Sequence, residues 1–107
     1  MQNLFSPITD NSSAELIETL LSRHHLRIER IVNQGQYCSP PGFWYDQGEH
    51  EFVVLVGGAA RLRFEDELVD LKPGDFINIP AFKKHRVDWT TPDEPTVWLG
   101  VRYGDQQ

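Results

Sequence analysis

Gly74-Asp75-Phe76-Ile77-Asn78-Ile79-Pro80-Ala81-Phe82-Lys83-Lys84-His85 is the stretch on which the fold turns. Lys72-Pro73-Gly74-Asp75 at its start reads as a type II turn, because proline presets the first central φ and glycine tolerates a positive φ at the second. The turn joins a strand over Leu68–Leu71 to one over Asp75–Ile79. Pro80 ends that second strand. The chain then returns as His85-Arg86-Val87-Asp88-Trp89, where period-two alternation puts His85, Val87 and Trp89 on one face.

Outward from this stretch the same period persists. Leu26 to Val32 and Arg61 to Glu65 alternate apolar with charged residues and read as half-exposed strands. Phe52 to Val56 is apolar on both faces, as expected where one side meets an interior and the other a second sheet, a helix or another subunit. Gly57-Gly58 allows a sharp reversal, and Thr96–Tyr103 supplies a last strand after the Pro92–Pro95 turn. Seven or eight short strands with tight turns define an all-β, single-domain antiparallel barrel or jelly roll.

The N-terminal region reads differently. Ser12-Ser13-Ala14-Glu15 has the form of a capping box, and Leu16, Ile17, Leu20 and Leu21 recur at one-turn spacing, which predicts one short helix ending near Arg23, His24 and His25. The resulting organisation is an arm and helix over 1–25, packed on the barrel or a partner subunit, a barrel over 26–103 and a tail over 104–107.

Bulk composition excludes several classes. At 107 residues and 39% hydrophobic content the chain can bury one core without staples. Lys+Arg 10 against Asp+Glu 16 gives a net charge of -6, the wrong sign for a phosphate backbone or an anionic membrane surface. Neither nucleic acid nor membrane is expected as a partner. The single Cys38 offers no intrachain disulfide and no thiolate pair, which fits the cytoplasm.

Candidate chemistry gathers around few residues. Glu51 shares a face with Val53 and Leu55, so its carboxylate points at the core unless it lines a pocket. Arg102 alternates with Trp98 and Thr96, and an inward arginine is costly unless it meets an acidic group or a bound anion. Trp44, Tyr45, Trp89 and Trp98 could stack on a sugar ring or a planar ligand, although strand aromatics are more often core or interface. Lys83, Lys84 and Arg86 flank His85 and could attract a phosphate or carboxylate at the pocket mouth, although a charged turn is usually only a solvated turn, and His24 and His25 read as a solvated helix end.

These spacings resemble the cupin superfamily of small jelly rolls. The second cupin motif, Gly, five residues, Pro, one residue, Gly, two residues, His, three residues, Asn, is met by Gly74, Pro80 and His85, with Phe82 replacing the second Gly and Trp89 the Asn. The end of the first motif, Glu, six residues, Gly, is met by Glu51 and Gly58. The resemblance covers roughly residues 26–103. It implies a site in which two histidines, the Glu and the later His hold one Mn, Fe, Ni or Zn ion. The His-x-His is absent: one register puts Trp44 and Asp46 at those positions, the other Tyr45 and Gln47. Asp46 is a candidate third ligand. His50 is a fourth, provided that Gly48 marks a bulge turning it inward.

Three functions follow from the resemblance and the residues. The first is a metal-dependent enzyme, similar to mannose-6-phosphate isomerase-like cupins, acting on a sugar, sugar phosphate or small acid. The second is a small-ligand binding or sensor module with an incomplete metal site. The third is mainly structural, a homodimer formed through the outward Phe52, Val54 and Val56.

Overall fold

The computed structural model describes residues 2–7 and 14–104. They form eight strands: β1 (Glu15–Arg23), β2 (Leu26–Asn33), β3 (His50–Gly57), β4 (Ala60–Phe64), β5 (Leu68–Leu71), β6 (Phe76–Ile79), β7 (His85–Thr90) and β8 (Thr96–Tyr103). A five-stranded sheet has the order β1-β2-β8-β3-β6, and a three-stranded sheet the order β5-β4-β7. All pairings are antiparallel. Leu55, Leu62, Phe64, Val53, Ile79, Val87 and Trp98 fill the space between the sheets.

The turns behave as their residues dictate. Gly74 has φ +95°, and the Asp75 amide donates to the Lys72 carbonyl at 2.9 Å, closing the expected turn between β5 and β6. Gly58, at φ +86°, reverses the chain between β3 and β4 against Thr96.

The expected N-terminal helix is a strand. Glu15–Arg23 pairs with β2 from Glu15↔Asn33 to Arg23↔Leu26, with a bulge between Thr19 and Leu21. That bulge slips the alternation by one residue, and the slip produces the Leu16/Ile17 to Leu20/Leu21 recurrence that imitates a helical stripe. Ser12 of the capping box lies outside the described residues. The five-stranded sheet therefore begins at Glu15. No helix among the described residues is long and apolar enough to cross a membrane.

Strand β2 is more buried than its alternation suggests. Glu29 and Arg30 face opposite ways, yet both are buried. Glu29 meets Arg102 inside. Arg30 lies outside under the N-terminal arm, where it pairs with Glu18 and donates to the Leu4 and Ser6 carbonyls at 3.1 and 2.9 Å.

Phe82 stands where the cupin motif has glycine and adopts φ +65° with its side chain 72% exposed. A left-handed conformation costs an L-residue about 1–2 kcal/mol, partly offset by the lower unfolded-state entropy of a non-glycine residue. Phe82→Gly is expected to stabilise the fold by ~0.5–1 kcal/mol, read as a higher denaturant midpoint at unchanged slope. A lower midpoint would show that the ring's contact with Gly48 outweighs the backbone strain.

Candidate functional site

The interior face of the larger sheet is not wholly apolar. Antiparallel register aligns Arg27, Arg102, Glu51 and Ile79 across β2, β8, β3 and β6. One row along, Glu29 lies opposite Gly100, which lies opposite Val53. From the other sheet, β7 starts at His85 and presents its ring toward Glu51.

The irregular segment between β2 and β3 completes the wall because it is docked along β7. The Ser39 amide donates to the Val87 carbonyl at 2.8 Å, Ser39 Oγ accepts from the Val87 amide at 3.1 Å, and Tyr45 bridges His85 through both backbone groups. Arg86 holds the diproline loop by donating to the Ser39, Pro40 and Phe43 carbonyls. The Tyr45 ring is thereby stacked on His85, with centroids 5.4 Å apart.

A cavity opens at this end of the barrel, with a volume of about 50 Å³. Glu15, Tyr45, Glu51, His85 and Arg102 line it together with Trp98 and aliphatic side chains. One water needs roughly 10–15 Å³ on this measure, so the space suits a few heavy atoms.

The polar groups around the cavity form two hydrogen-bonded sets that meet where Tyr45 stacks on His85. Arg102 Nε donates to Glu29 Oε1 at 2.7 Å, an Nη donates to Gln47 Oε1, and another Nη faces Glu51 Oε2 at 3.4 Å. Glu51 Oε1 lies 3.4 Å from Nε2 of His85, whose Nδ1 lies 2.9 Å from the Lys83 carbonyl. That carbonyl only accepts, so Nδ1 carries a proton. On the far side Glu15 accepts from the Tyr45 hydroxyl at 2.7 Å and from Asn33 Nδ2 at 2.9 Å, and Asn33 Oδ1 accepts from the Trp98 indole at 2.8 Å.

Electrostatics follow from these contacts. Burial pushes the Glu29 carboxyl up, but hydrogen bonds from Arg102 and Arg27 outweigh it and hold the group below its usual range. Burial works against the Arg102 charge, and Glu51 and Glu29 more than restore it. Tyr45 is pushed up by burial first and then by its bond to Glu15, so its hydroxyl stays a donor.

The sequence-derived candidates divide cleanly. Glu51, His85, Trp98 and Arg102 meet in the cavity. Asp46 is exposed, since its neighbour Tyr45 takes the inward direction; the inward register is Tyr45 and Gln47, and Trp44 is not among the lining residues. His50 stays on the outer face, where it accepts from the Ala81 amide at 3.0 Å and packs on Tyr103. Trp89 is turned outward, 37% exposed and opposite Arg61, because the pairing of β4 with β7 shifts between Arg61 and Leu62. Tyr45, one of the aromatic candidates, lines the cavity, and Glu15, Glu29 and Gln47 belong to the site although sequence did not single them out as ligands. Glu29 shares the inward face of β2 with Ile31 and Asn33, a signal available beforehand; Glu15 was hidden by the helical reading.

The donor set does not suit a divalent ion. Where the cupin histidines would stand are a phenol engaged by Glu15 and an amide engaged by Arg102. Of the two retained positions, Glu51 already faces the Arg102 guanidinium at 3.4 Å. Among the described residues no group of three or more His, Cys, Asp or Glu side chains is disposed to hold a metal.

An eight-stranded antiparallel barrel with a largely apolar cavity at one end, carrying a few polar side chains, defines a small jelly-roll protein. Comparison makes the assignment specific: the Cupin domain family model matches residues 31–102, and the chain belongs to the cupin family. It is 40% identical to a Ralstonia eutropha JMP134 protein provisionally named a mannose-6-phosphate isomerase, with a TM-score of 0.90 and 98% of each chain covered. A conserved Streptococcus pyogenes protein of unknown function matches at 18% identity and TM-score 0.76, covering 100% of this chain and 89% of the other. A cupin with an RmlC-like, double-stranded β-helix fold from Methanocaldococcus jannaschii matches at 16% and 0.70, covering 89% and 85%. No curated protein matches the chain.

Proposed function

We propose that this cupin binds a small organic molecule in the barrel cavity without a metal ion, as a binding or sensor module. The observation that carries the reading is Arg102, bridging Glu29 and Glu51 where the family's ion would need its negative ligands to itself. A metal-dependent isomerase acting on a sugar phosphate, the activity suggested by the name of the Ralstonia relative, finds little support. The cavity is small, and its one arginine is already engaged by two carboxylates and an amide. The free Cys38 is compatible with a cytoplasmic location.

A ligand-observed NMR screen of small organic molecules against chelator-treated protein tests this. Binders that perturb the Trp98 indole and are indifferent to added Mn, Fe, Ni or Zn are expected. Binding that appears only after a divalent ion is restored would overturn the reading.

The outward face of the larger sheet supports a homodimer. Phe52 and Phe76 pack at 5.4 Å on it, beside Val54, Leu99 and Val101, and Phe76 is 66% exposed. An apolar face of this kind is covered most simply by its own copy about a two-fold axis. Light scattering is expected to give a dimer mass, and Phe76→Glu a monomer with unchanged circular dichroism. A monomeric parent protein would refute the assignment.

A further inference from the structure

We propose that the cavity takes a short-chain organic molecule whose head donates a hydrogen bond, an amine or an alcohol. It is seated over Gly100 with its N–H or O–H on the Glu51 carboxylate. The proposal rests on the metal-free reading above and adds the class of ligand.

Glu51 supplies the first argument. Its side chain is buried and lines the cavity, yet its nearest nitrogen neighbours, His85 Nε2 and an Arg102 Nη, both stand at 3.4 Å. Charge-assisted hydrogen bonds to a carboxylate close to about 2.7–2.9 Å. An ionised carboxylate has roughly four acceptor positions. Glu51 is therefore poised to accept from a third partner, and the cavity is the open direction.

Gly100 supplies the second. It lies in the middle of β8, a strand paired on both sides, and its φ is not positive. The backbone does not demand glycine there, and glycine weakens a strand interior. Such a residue marks a place where something approaches the backbone closely. A Cβ on Gly100 would sit 3.7 Å from Glu51 Oε2, 4.0 Å from Val53 Cγ1 and 3.3 Å from Ile31 Cδ1. The tightest of these contacts is the movable end of an isoleucine, so packing alone is a weak reason to exclude a methyl group. The three side chains nearest that position, Ile31, Glu51 and Val53, all line the cavity, and the missing Cβ keeps β8 from crowding them.

Charge and size narrow the class. An acid or phosphate would meet the Glu51 carboxylate beside an Arg102 already held by hydrogen bonds to Glu29 and Gln47. A donor head meets the same carboxylate favourably. The volume of about 50 Å³ restricts the body to a few carbons.

The test titrates isotopically labelled full-length protein with propylamine, 1-propanol, propionate and inorganic phosphate, following the Gly100 amide and the Trp98 indole. Saturable shifts are expected with propylamine, with 1-propanol or with both, and the tighter of the two identifies the head group. Gly100→Ala should weaken that binding at least about tenfold while keeping a dispersed spectrum. Glu51→Gln provides an independent reading should the alanine variant fail to fold, with amine binding expected to fall by a similar factor. Unchanged affinity in both variants overturns the proposal. Saturation by propionate or phosphate but by neither donor overturns the ligand class and leaves the small-ligand reading standing. Silence from all four probes overturns the proposal alone if the broader screen yields cavity binders, and the parent reading as well if it yields none.

Discussion

Replacing Arg102 by methionine is expected to destabilise the protein by ~3–5 kcal/mol at neutral pH, the usual cost of removing one partner from a buried ionic group. Methionine keeps much of the aliphatic volume, so the loss is electrostatic rather than a cavity. Glu29 would keep Arg27 at 2.9 Å but lose the 2.7 Å bond that does most to hold its charge. In the parent protein the lowered Glu29 carboxyl contributes stability above the ordinary carboxylate range near 4.5, and that stability is lost as pH falls below it. In the variant burial prevails, the carboxyl moves up, and protonation relieves the folded state. The stability gap between the two proteins should therefore narrow as pH falls from neutral toward 4.5 and below. Urea unfolding at a series of pH values measures it. A constant gap would mean that Arg102 acts through packing and not through charge.

Gly58→Ala is expected to cost a comparable amount for a steric reason. At φ +86° an L-residue is strained by about 1–2 kcal/mol. The new Cβ would also fall 2.6 Å from Thr96 Oγ1, 2.7 Å from Thr96 Cα and 3.0 Å from the Pro95 carbonyl. Two of these atoms are backbone, and Thr96 is fully buried, so neither turn can yield cheaply. Overpacking of this kind adds roughly 1–3 kcal/mol. The sum, ~2–5 kcal/mol, should appear as a large drop in the urea midpoint. Gly74→Ala is an internal control. Its φ is +95°, yet nothing lies within 4 Å of the added carbon, so only the strain remains. Equal losses in the two variants would contradict the steric account.

The difference between these turns and the site explains how far the sequence was legible. Turn chemistry is local: Lys72 to Asp75, the Gly57-Gly58 reversal and the Pro80 stop each specify their geometry from adjacent residues, and the order of strands followed from them. The inward placement of Glu51, Trp98 and Arg102 was equally local, because uninterrupted alternation fixes a face. Alternation failed where a bulge entered. The slip near Leu20 turned a strand into an apparent helix and hid Glu15, and the irregularity at Asp88 sent Trp89 outward. Tyr45 and Gln47 depended on the docking of an irregular segment against β7, a long-range contact that no local pattern encodes. Glu29 read as a half-exposed strand charge because its partner lies 73 residues away.

The same contact holds the functional argument. A family that commonly gathers imidazoles around an ion here gathers a guanidinium, two carboxylates, an amide and a stacked tyrosine–histidine pair. The positive charge beside Glu51 is then supplied by the chain itself.

Elemental analysis of protein purified without added metal, then exposed to Mn, Fe, Ni and Zn and desalted, tests this most directly. The account predicts far less than one equivalent of any ion per chain before and after exposure. One tightly held equivalent that disappears on substitution of Glu51 or His85 would contradict it.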